Sequence, residues 1–159
     1  MIFGRFTGEA RRVVRCSERE AFDLGSPAIE AEHLLLALTG TDEATMAAVG
    51  LDRETVVLAL ETERERSLMA VGIAAGDIDV PPRRVEGHAR MAASATTALE
   101  RAVKAAAARK DRRIVGGHIL LGILQAEAGT VPRALALAGL DRAELKDRAA
   151  ALLADARVC

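Results

Sequence analysis

Apolar residues recur at steps of three and four along the first part of the chain. Such spacing places them on one face of a helix and predicts about five helical turns after Thr7. Thr7 suits the N-cap, and Glu9 lies in the first turn, where the helix dipole favours a negative charge. Gly25, Ser26 and Pro27 end the pattern. The stripe consists of Ala10, Val13, Val14, Ser17, Ala21 and Leu24.

Three further helices are predicted before the pattern breaks. The run "AEHLLLAL" forms a second helix that ends near Gly40, and a short third helix spans about residues 43–49. The pair Gly50-Leu51 is typical of a helix C-terminus with its hydrophobic contact, and Asp52 opens a fourth helix. The mixed-charge run "ETERER" predicts a solvated face. Residues 67–90 contain glycines and two consecutive prolines, which predicts a linker.

The same order of elements follows the linker. A long alanine-rich helix is predicted for about 92–109, then a helix containing "HILLGIL", then a short helix from about residue 130 to Gly139-Leu140. Asp141 and Glu144 open the last helix in an arrangement similar to a capping box.

The chain is therefore an internal repeat. His33 and His118 lie 85 residues apart, whereas Gly50-Leu51-Asp52 and Gly139-Leu140-Asp141 lie 89 apart, so a small insertion separates the two landmarks in the second copy. We expect an all-α fold, a pseudo-twofold bundle of eight helices in one compact domain. The predicted organisation is a first repeat at 1–66, a linker at 67–90 and a second repeat at 91–159.

Composition narrows the class of protein. Half of the residues are apolar, with no Trp or Tyr and three Phe, so the core must be built from small aliphatic side chains. The 22 basic and 23 acidic residues give a net charge of −1, which argues against a nucleic-acid partner. No run suits a signal peptide or a membrane span, so we expect a soluble, cytoplasmic protein, and a monomer. The spacing of Cys16 and Cys159 suits neither a disulfide framework nor a metal site, so we expect two free thiols. We also expect no cofactor.

Three segments carry a resemblance to a known family. They are "FGRFTGEARRVV", "GSPAIEAEHLLLAL" and "RRIVGGHILLGIL", and the chain resembles the N-terminal domain of the ClpC and ClpA class of AAA+ unfoldases, built from two Clp repeats. The resemblance implies an all-helical docking module for substrates and adaptors of a protease, without catalysis of its own. No G-x-x-x-x-G-K-[ST] motif occurs in the 159 residues, so they contain no ATP-driven motor.

The resemblance also implies ligand sites. In related ClpC domains each repeat resembles a phosphoarginine pocket, with a Thr at the start of the long helix and the Glu before the His. The first repeat has Thr7 and Glu32, but the second has Ala92 and Gly117, so at most one such pocket is expected. The alternative is that Thr7 is only an N-cap and Glu32 only a first-turn acid.

A second surface resembles the docking groove for cyclic peptide antibiotics such as cyclomarin in actinobacterial relatives. The matching residues are Phe3, Arg11, Val14, Met91 and Glu100. The alternative is that Phe3 or Phe6 packs under the first helix as a hydrophobic staple, which is the better interpretation for Phe6.

His33 and His118 lack the spacing of a zinc motif and are interpreted as structural. No spacing of nucleophile and base predicts an enzyme. The leading hypothesis is a stand-alone binding module that sequesters marked proteins, adaptors or peptide antibiotics from the Clp protease. The alternatives are a docking domain cut from a longer ATP-dependent unfoldase, and a helical scaffold or regulator.

Overall fold

The computed structural model describes residues 2–74, 76 and 88–157. Eight α-helices dominate it, as the sequence predicted, and a 3₁₀ turn at Ile2–Arg5 precedes them. The helices are α1 Gly8–Asp23, α2 Ala31–Thr41, α3 Glu43–Val49, α4 Arg53–Ala70, α5 Ala93–Ala108, α6 Gly116–Leu124, α7 Thr130–Leu137 and α8 Arg142–Asp155. Two short strands, β1 Ala28–Ile29 and β2 Arg90–Met91, pair in parallel.

Local side chains begin the helices where the sequence predicted. The Thr7 hydroxyl accepts a hydrogen bond from the Ala10 N–H at 3.1 Å. Asp52 accepts from the Thr55 N–H at 2.8 Å, and Asp141 accepts from the Ala143 N–H at 2.9 Å. Each of these bonds satisfies an N–H that has no acceptor inside its own helix, which fixes the first residue of α1, α4 and α8.

Glycines end α3 and α7 in the same way. Gly50 has φ +79° and Gly139 φ +71°, a left-handed conformation that glycine adopts without a steric penalty. The next residue then bonds back into the helix: Leu51 N donates to Met46 O and Leu140 N to Leu135 O, both at 2.9 Å. This matches the Schellman motif, so the Gly-Leu-Asp prediction is confirmed in both repeats.

The two repeats exchange partners across the pseudo-twofold axis. Ile29, ahead of α2, pairs with Met91 ahead of α5, and Phe6, ahead of α1, forms the equivalent bridge to Ile114. In the same way α4 packs against α7, and α8 packs against α3. The repeats are therefore intertwined and share one core.

The central helices α2 and α6 are the most buried elements. His33 and His118 are each 2% exposed, and Phe6 is fully buried. At Gly122 the backbone of α6 comes so close to α5 that a Cβ atom would lie 2.9 Å from the Ala102 nitrogen. The second repeat therefore needs glycine at this helix crossing.

The segment between the repeats begins later than the sequence suggested. Helix α4 continues to Ala70, beyond the predicted end of the first repeat at residue 66. Part of the predicted linker, residues 75 and 77–87, lies outside the described residues. Beyond it, Glu18 of α1 accepts a hydrogen bond from the Ala89 N–H at 2.6 Å, which holds the chain just ahead of β2.

Candidate functional site

An open groove of about 760 Å³ lies where the starts of α2 and α5 meet the end of α6 and the start of α7. Apolar side chains form part of its wall, including Ile123 and Val131. The polar and charged side chains along it are Glu30, Glu32, Ser94, Thr97, Arg101, Gln125, Glu127, Thr130 and Arg133. We refer to it as the Glu32 groove.

The groove exists because one connection is longer than its counterpart. Asp42 is the only residue between α2 and α3, whereas residues 125–129 separate α6 from α7. All five of these residues line the groove. They account for the insertion that the sequence placed between the His and Gly-Leu-Asp landmarks, and they form one wall of the groove.

Glu32 is a partly buried carboxylate in this groove. Burial raises its pKa above the ordinary value, and the nearby carboxylates of Glu30 and Glu63 raise it further. A hydrogen bond from the Glu32 backbone N–H and the positive charge of Arg133 oppose this shift. A cationic group entering the groove would therefore relieve an unfavourable charge on Glu32.

Arg133 is held beside Glu32 by a second acid. Its Nε donates to Glu63 Oε1 at 3.0 Å, and Ser67 Oγ donates to the same oxygen at 2.6 Å. Glu63 is 5% exposed, so its charge needs these partners. The Arg133 side chain remains 59% exposed, which leaves guanidinium N–H groups for a ligand.

The start of α5 forms the facing wall. Ala92, its N-cap, provides no side-chain acceptor, and the Ala92 N–H donates to Ile29 O at 2.9 Å. Ser94 Oγ accepts from the Ala31 N–H at 2.9 Å and donates to the Glu30 carboxylate. These bonds fix the starts of α2 and α5 side by side, so N–H groups of a helix N-terminus and the Glu32 carboxylate border one groove.

Thr7, predicted to share a pocket with Glu32, does not line the Glu32 groove. The Thr7 N–H donates to Ile114 O at 3.0 Å, so the start of α1 lies against the segment ahead of α6. Glu32 instead lies with Ala93 and Ser94 of α5. The reason is the exchange of partners between the repeats, which sets the start of each long helix beside the start of the central helix of the other repeat.

The equivalent place beside α6 is filled. A Cβ atom at Gly117 would lie 3.0 Å from Leu153 Cδ2 of α8. At Gly116 a Cβ atom would lie 3.1 Å from Asp42 Cγ and would overlap that carboxylate. The absence of a glutamate at Gly117 therefore has a packing reason, since Leu153 of α8 lies where the side chain would begin.

The residues matched to the cyclic peptide groove fall into two sets. Phe3 packs edge to face on Phe6, with ring centroids 5.1 Å apart, and Arg11 Nε donates to Phe3 O at 3.3 Å. Val14 packs on the core beside them.

The second set lies on the other repeat. Met91 is half-buried in β2, and Glu100 is exposed on α5. No hydrogen bond or ion pair among the described residues joins Met91 or Glu100 to Phe3, Arg11 or Val14. Phe6 is fully buried, in agreement with a structural role.

Both histidines are held as neutral side chains. His33 Nδ1 accepts from the Glu30 N–H at 2.8 Å, and His118 Nδ1 accepts from the Val115 N–H at 3.0 Å. Because a backbone N–H can only donate, Nδ1 carries no proton in either ring. Burial lowers the pKa of both histidines, as expected for structural residues.

Cys16 is a half-buried free cysteine on α1, and Cys159 lies outside the described residues. Within the described part of the chain, no group of three or more His, Cys, Asp or Glu side chains could hold a metal ion. Over the same residues, no helix is long and apolar enough to cross a membrane.

Sequence reasoning identified Glu32 but missed the side chains around it. Ser94, Arg101 and Arg133 belong to helices of the other repeat, and their roles follow from the exchange of partners. The signal available in the sequence was the insertion at 125–129, which marked the place where the two repeats differ.

Comparison with known proteins agrees with this architecture. Residues 5–138 match the family model of the Clp repeat (R) N-terminal domain. The N-terminal domain of the caseinolytic protease associated chaperone ClpD from Arabidopsis thaliana is similar, with a TM-score of 0.71 at 23% identity over 96% of this chain and 97% of that one. The Hsp104 N-terminal domain from Candida albicans has a TM-score of 0.63 at 20% identity over 91% and 88%. The chain belongs to the Clp repeat N-terminal domain family.

Proposed function

We propose that this domain is a non-catalytic docking module that binds degradation substrates or their adaptors through the Glu32 groove. The observation that carries the proposal is the partly buried carboxylate of Glu32 in an open groove that also contains a helix N-terminus and two arginines. A ligand that joins a cation to an anion suits this arrangement. Phosphoarginine, a mark on proteins destined for Clp proteolysis, is such a ligand.

The charges assign the two ends of that ligand. Its guanidinium pairs with Glu32, whose ionised carboxylate is disfavoured by burial. Its phosphate lies toward the first turn of α5, where backbone N–H groups and the helix dipole favour an anion, with Arg101 and Arg133 on the walls. Since Gly117 and Leu153 fill the equivalent place in the second repeat, we expect one site per chain.

The sequence also bears on what happens to a bound ligand. The 159 residues contain no nucleotide-binding loop, so this domain by itself holds its ligand and does not unfold it. We propose that binding sequesters marked proteins from the Clp protease.

Isothermal titration of the purified chain with phosphoarginine tests this site. We expect a stoichiometry near one and loss of measurable binding in Glu32→Gln, which keeps the side-chain shape but removes the charge. Glu61→Gln, a neutralised and exposed acid on α4, is the matched control and should bind as the wild type does. A stoichiometry of two, or unchanged affinity in Glu32→Gln, contradicts the proposal.

A second ligand class is proposed for the surface at Phe3. Phe3 is a half-buried aromatic side chain beside the exposed Arg11, which suits an apolar cyclic peptide such as cyclomarin. Titration with cyclomarin should be weakened in Phe3→Ala by about 1 kcal/mol or more and unaffected by Glu32→Gln. Equal effects of the two variants on both ligands would show that the surfaces are not separate.

A further inference from the structure

Positive charge is concentrated on the loop between α5 and α6. Residues 109–113, "RKDRR", contain four cations and one acid, and Arg5 and Arg157 lie against them. The twofold-related loop ahead of α2, residues 24–28 "LGSPA", carries no charged side chain. The same position in the fold can therefore be built without charge.

Lys110 occupies a backbone conformation that favours glycine. Its φ is +59°, and the equivalent residue of the first repeat is Gly25 with φ +67°. A residue with a Cβ atom is strained in this left-handed region. A strained lysine where the other repeat has glycine indicates that its side chain serves something besides folding.

The loop is held rigidly by both ends of the described chain. The Asp111 carboxylate accepts hydrogen bonds from Arg109 Nε at 3.1 Å, His118 Nε2 at 2.9 Å and Arg157 Nε at 2.5 Å. Arg5 donates to the carbonyl oxygens of Asp111 at 2.5 Å and Arg112 at 3.3 Å. Asp111 is thus fully engaged, and its charge is already matched within the loop.

The other cations point to a ligand outside the molecule. Lys110, Arg112 and Arg113 are exposed, and none of them forms an ion pair within the described part of the chain. A rigid loop that presents unmatched cations loses little entropy when an anionic partner binds. Such a surface selects its partner by charge.

We propose that this basic loop surface docks an Asp- and Glu-rich segment of a partner protein. It consists of Arg5, Arg109, Lys110, Arg112, Arg113 and Arg157. A protein segment fits better than a nucleic acid because the six residues that form the surface are all cationic and none is aromatic, so they offer no platform for stacking bases. The net charge of −1 gives no general attraction for a phosphate backbone.

The basic loop surface is separate from the Glu32 groove. The groove borders the start of α5, and the basic loop follows its end. Arg101, the groove residue nearest the end of α5, precedes Arg109 by eight residues, about 12 Å at 1.5 Å per residue. The inference therefore goes beyond the function proposed above, and the two can fail independently.

Fluorescence anisotropy with a labelled peptide of alternating Asp and Glu tests the surface. At low salt, Arg112→Ala/Arg113→Ala should raise Kd about tenfold. The control Arg64→Ala/Arg66→Ala removes the same charge from exposed positions on α4 and should change Kd less than about twofold. Absence of binding by the wild type, equal weakening in both variants, or stronger binding of an oligothymidylate of matched charge would overturn the proposal.

Lys110→Gly separates the role of the lysine in binding from its role in folding. Glycine relieves the left-handed strain, so the thermal unfolding midpoint should rise while the peptide binds more weakly. A variant that binds the peptide as tightly as the wild type overturns the inference drawn from the strained lysine.

Discussion

Helix α2 and helix α6 occupy equivalent places in the two repeats but meet different surroundings. Each starts with the same hydrogen bond from a backbone N–H to the Nδ1 of its histidine. Glu32 of α2 then lies in an open groove, whereas Gly117 of α6 lies beneath Leu153. The loop ahead of α2 is uncharged, and the loop ahead of α6 is basic. The residues that form the shared core are therefore mostly different from the residues that give the two repeats different surfaces.

The close crossing of α5 and α6 at Gly122 gives the largest expected difference between the repeats in the stability lost on substitution. Gly122→Ala would drive a methyl group into the α5 backbone at Ala98 and Ala102, and we expect a loss of about 3 kcal/mol of unfolding free energy. The equivalent residue of the first repeat is Ala37, which is buried with its methyl group.

Urea denaturation followed by circular dichroism measures both changes. The reverse substitution, Ala37→Gly, should cost only about 1 kcal/mol through lost burial and helix propensity. Similar losses in the two variants would show that the α5–α6 crossing is no tighter than its counterpart.

The loops ahead of α2 and α6 give the next largest difference in stability lost on substitution. Asp111→Ala removes the acceptor of His118, Arg109 and Arg157 and should cost about 2 kcal/mol. Ser26 is the equivalent residue, and its hydroxyl donates only to Ala28 O at 2.7 Å. Ser26→Ala should therefore cost less than about 1 kcal/mol. Thermal unfolding of both variants and the wild type shows which substitution costs more stability. A larger loss in Ser26→Ala than in Asp111→Ala would contradict the role given to Asp111.

The smallest expected change in stability is that of Glu32→Gln, and it depends on pH. Because burial raises its pKa in the folded state, the ionised carboxylate opposes folding, and this penalty grows as pH rises from the unfolded-state pKa through the higher folded-state pKa. Glu32→Gln should therefore be more stable than the wild type at pH 7 by a few tenths of a kcal/mol, since the group still reaches solvent.

The advantage of Glu32→Gln should disappear below about pH 4, where the wild-type carboxyl is protonated in both states. Unfolding midpoints measured across this range test the sign. An advantage that persists unchanged in acid would mean that the charge of Glu32 is not its cause.

The sequence predicted those features of the fold that depend on residues close together in the chain. Thr7, Asp52 and Asp141 begin helices, and Gly50 and Gly139 end them, because a cap needs only a partner within one turn. The repeat and its insertion were likewise visible in the spacing of residues. These features determined the eight helices and their order.

The geometry of the groove could not be predicted in this way. Thr7 and Glu32 were matched because both belong to the first repeat, but the pairing of Ile29 with Met91 sets α2 against α5. Ser94 and Arg133 are more than sixty residues from Glu32 in the sequence. No local pattern determines which repeat supplies each wall when two similar repeats can pack in either way.

The contacts of Arg5 and Arg157 with the loop around Asp111 have a mechanical consequence. Arg5 lies ahead of α1 and Arg157 follows α8, so the loop ties these two segments together. We expect a force that pulls these two segments apart first to break their hydrogen bonds to the loop, together with the backbone bonds that Arg5 and Thr7 form with Ile114.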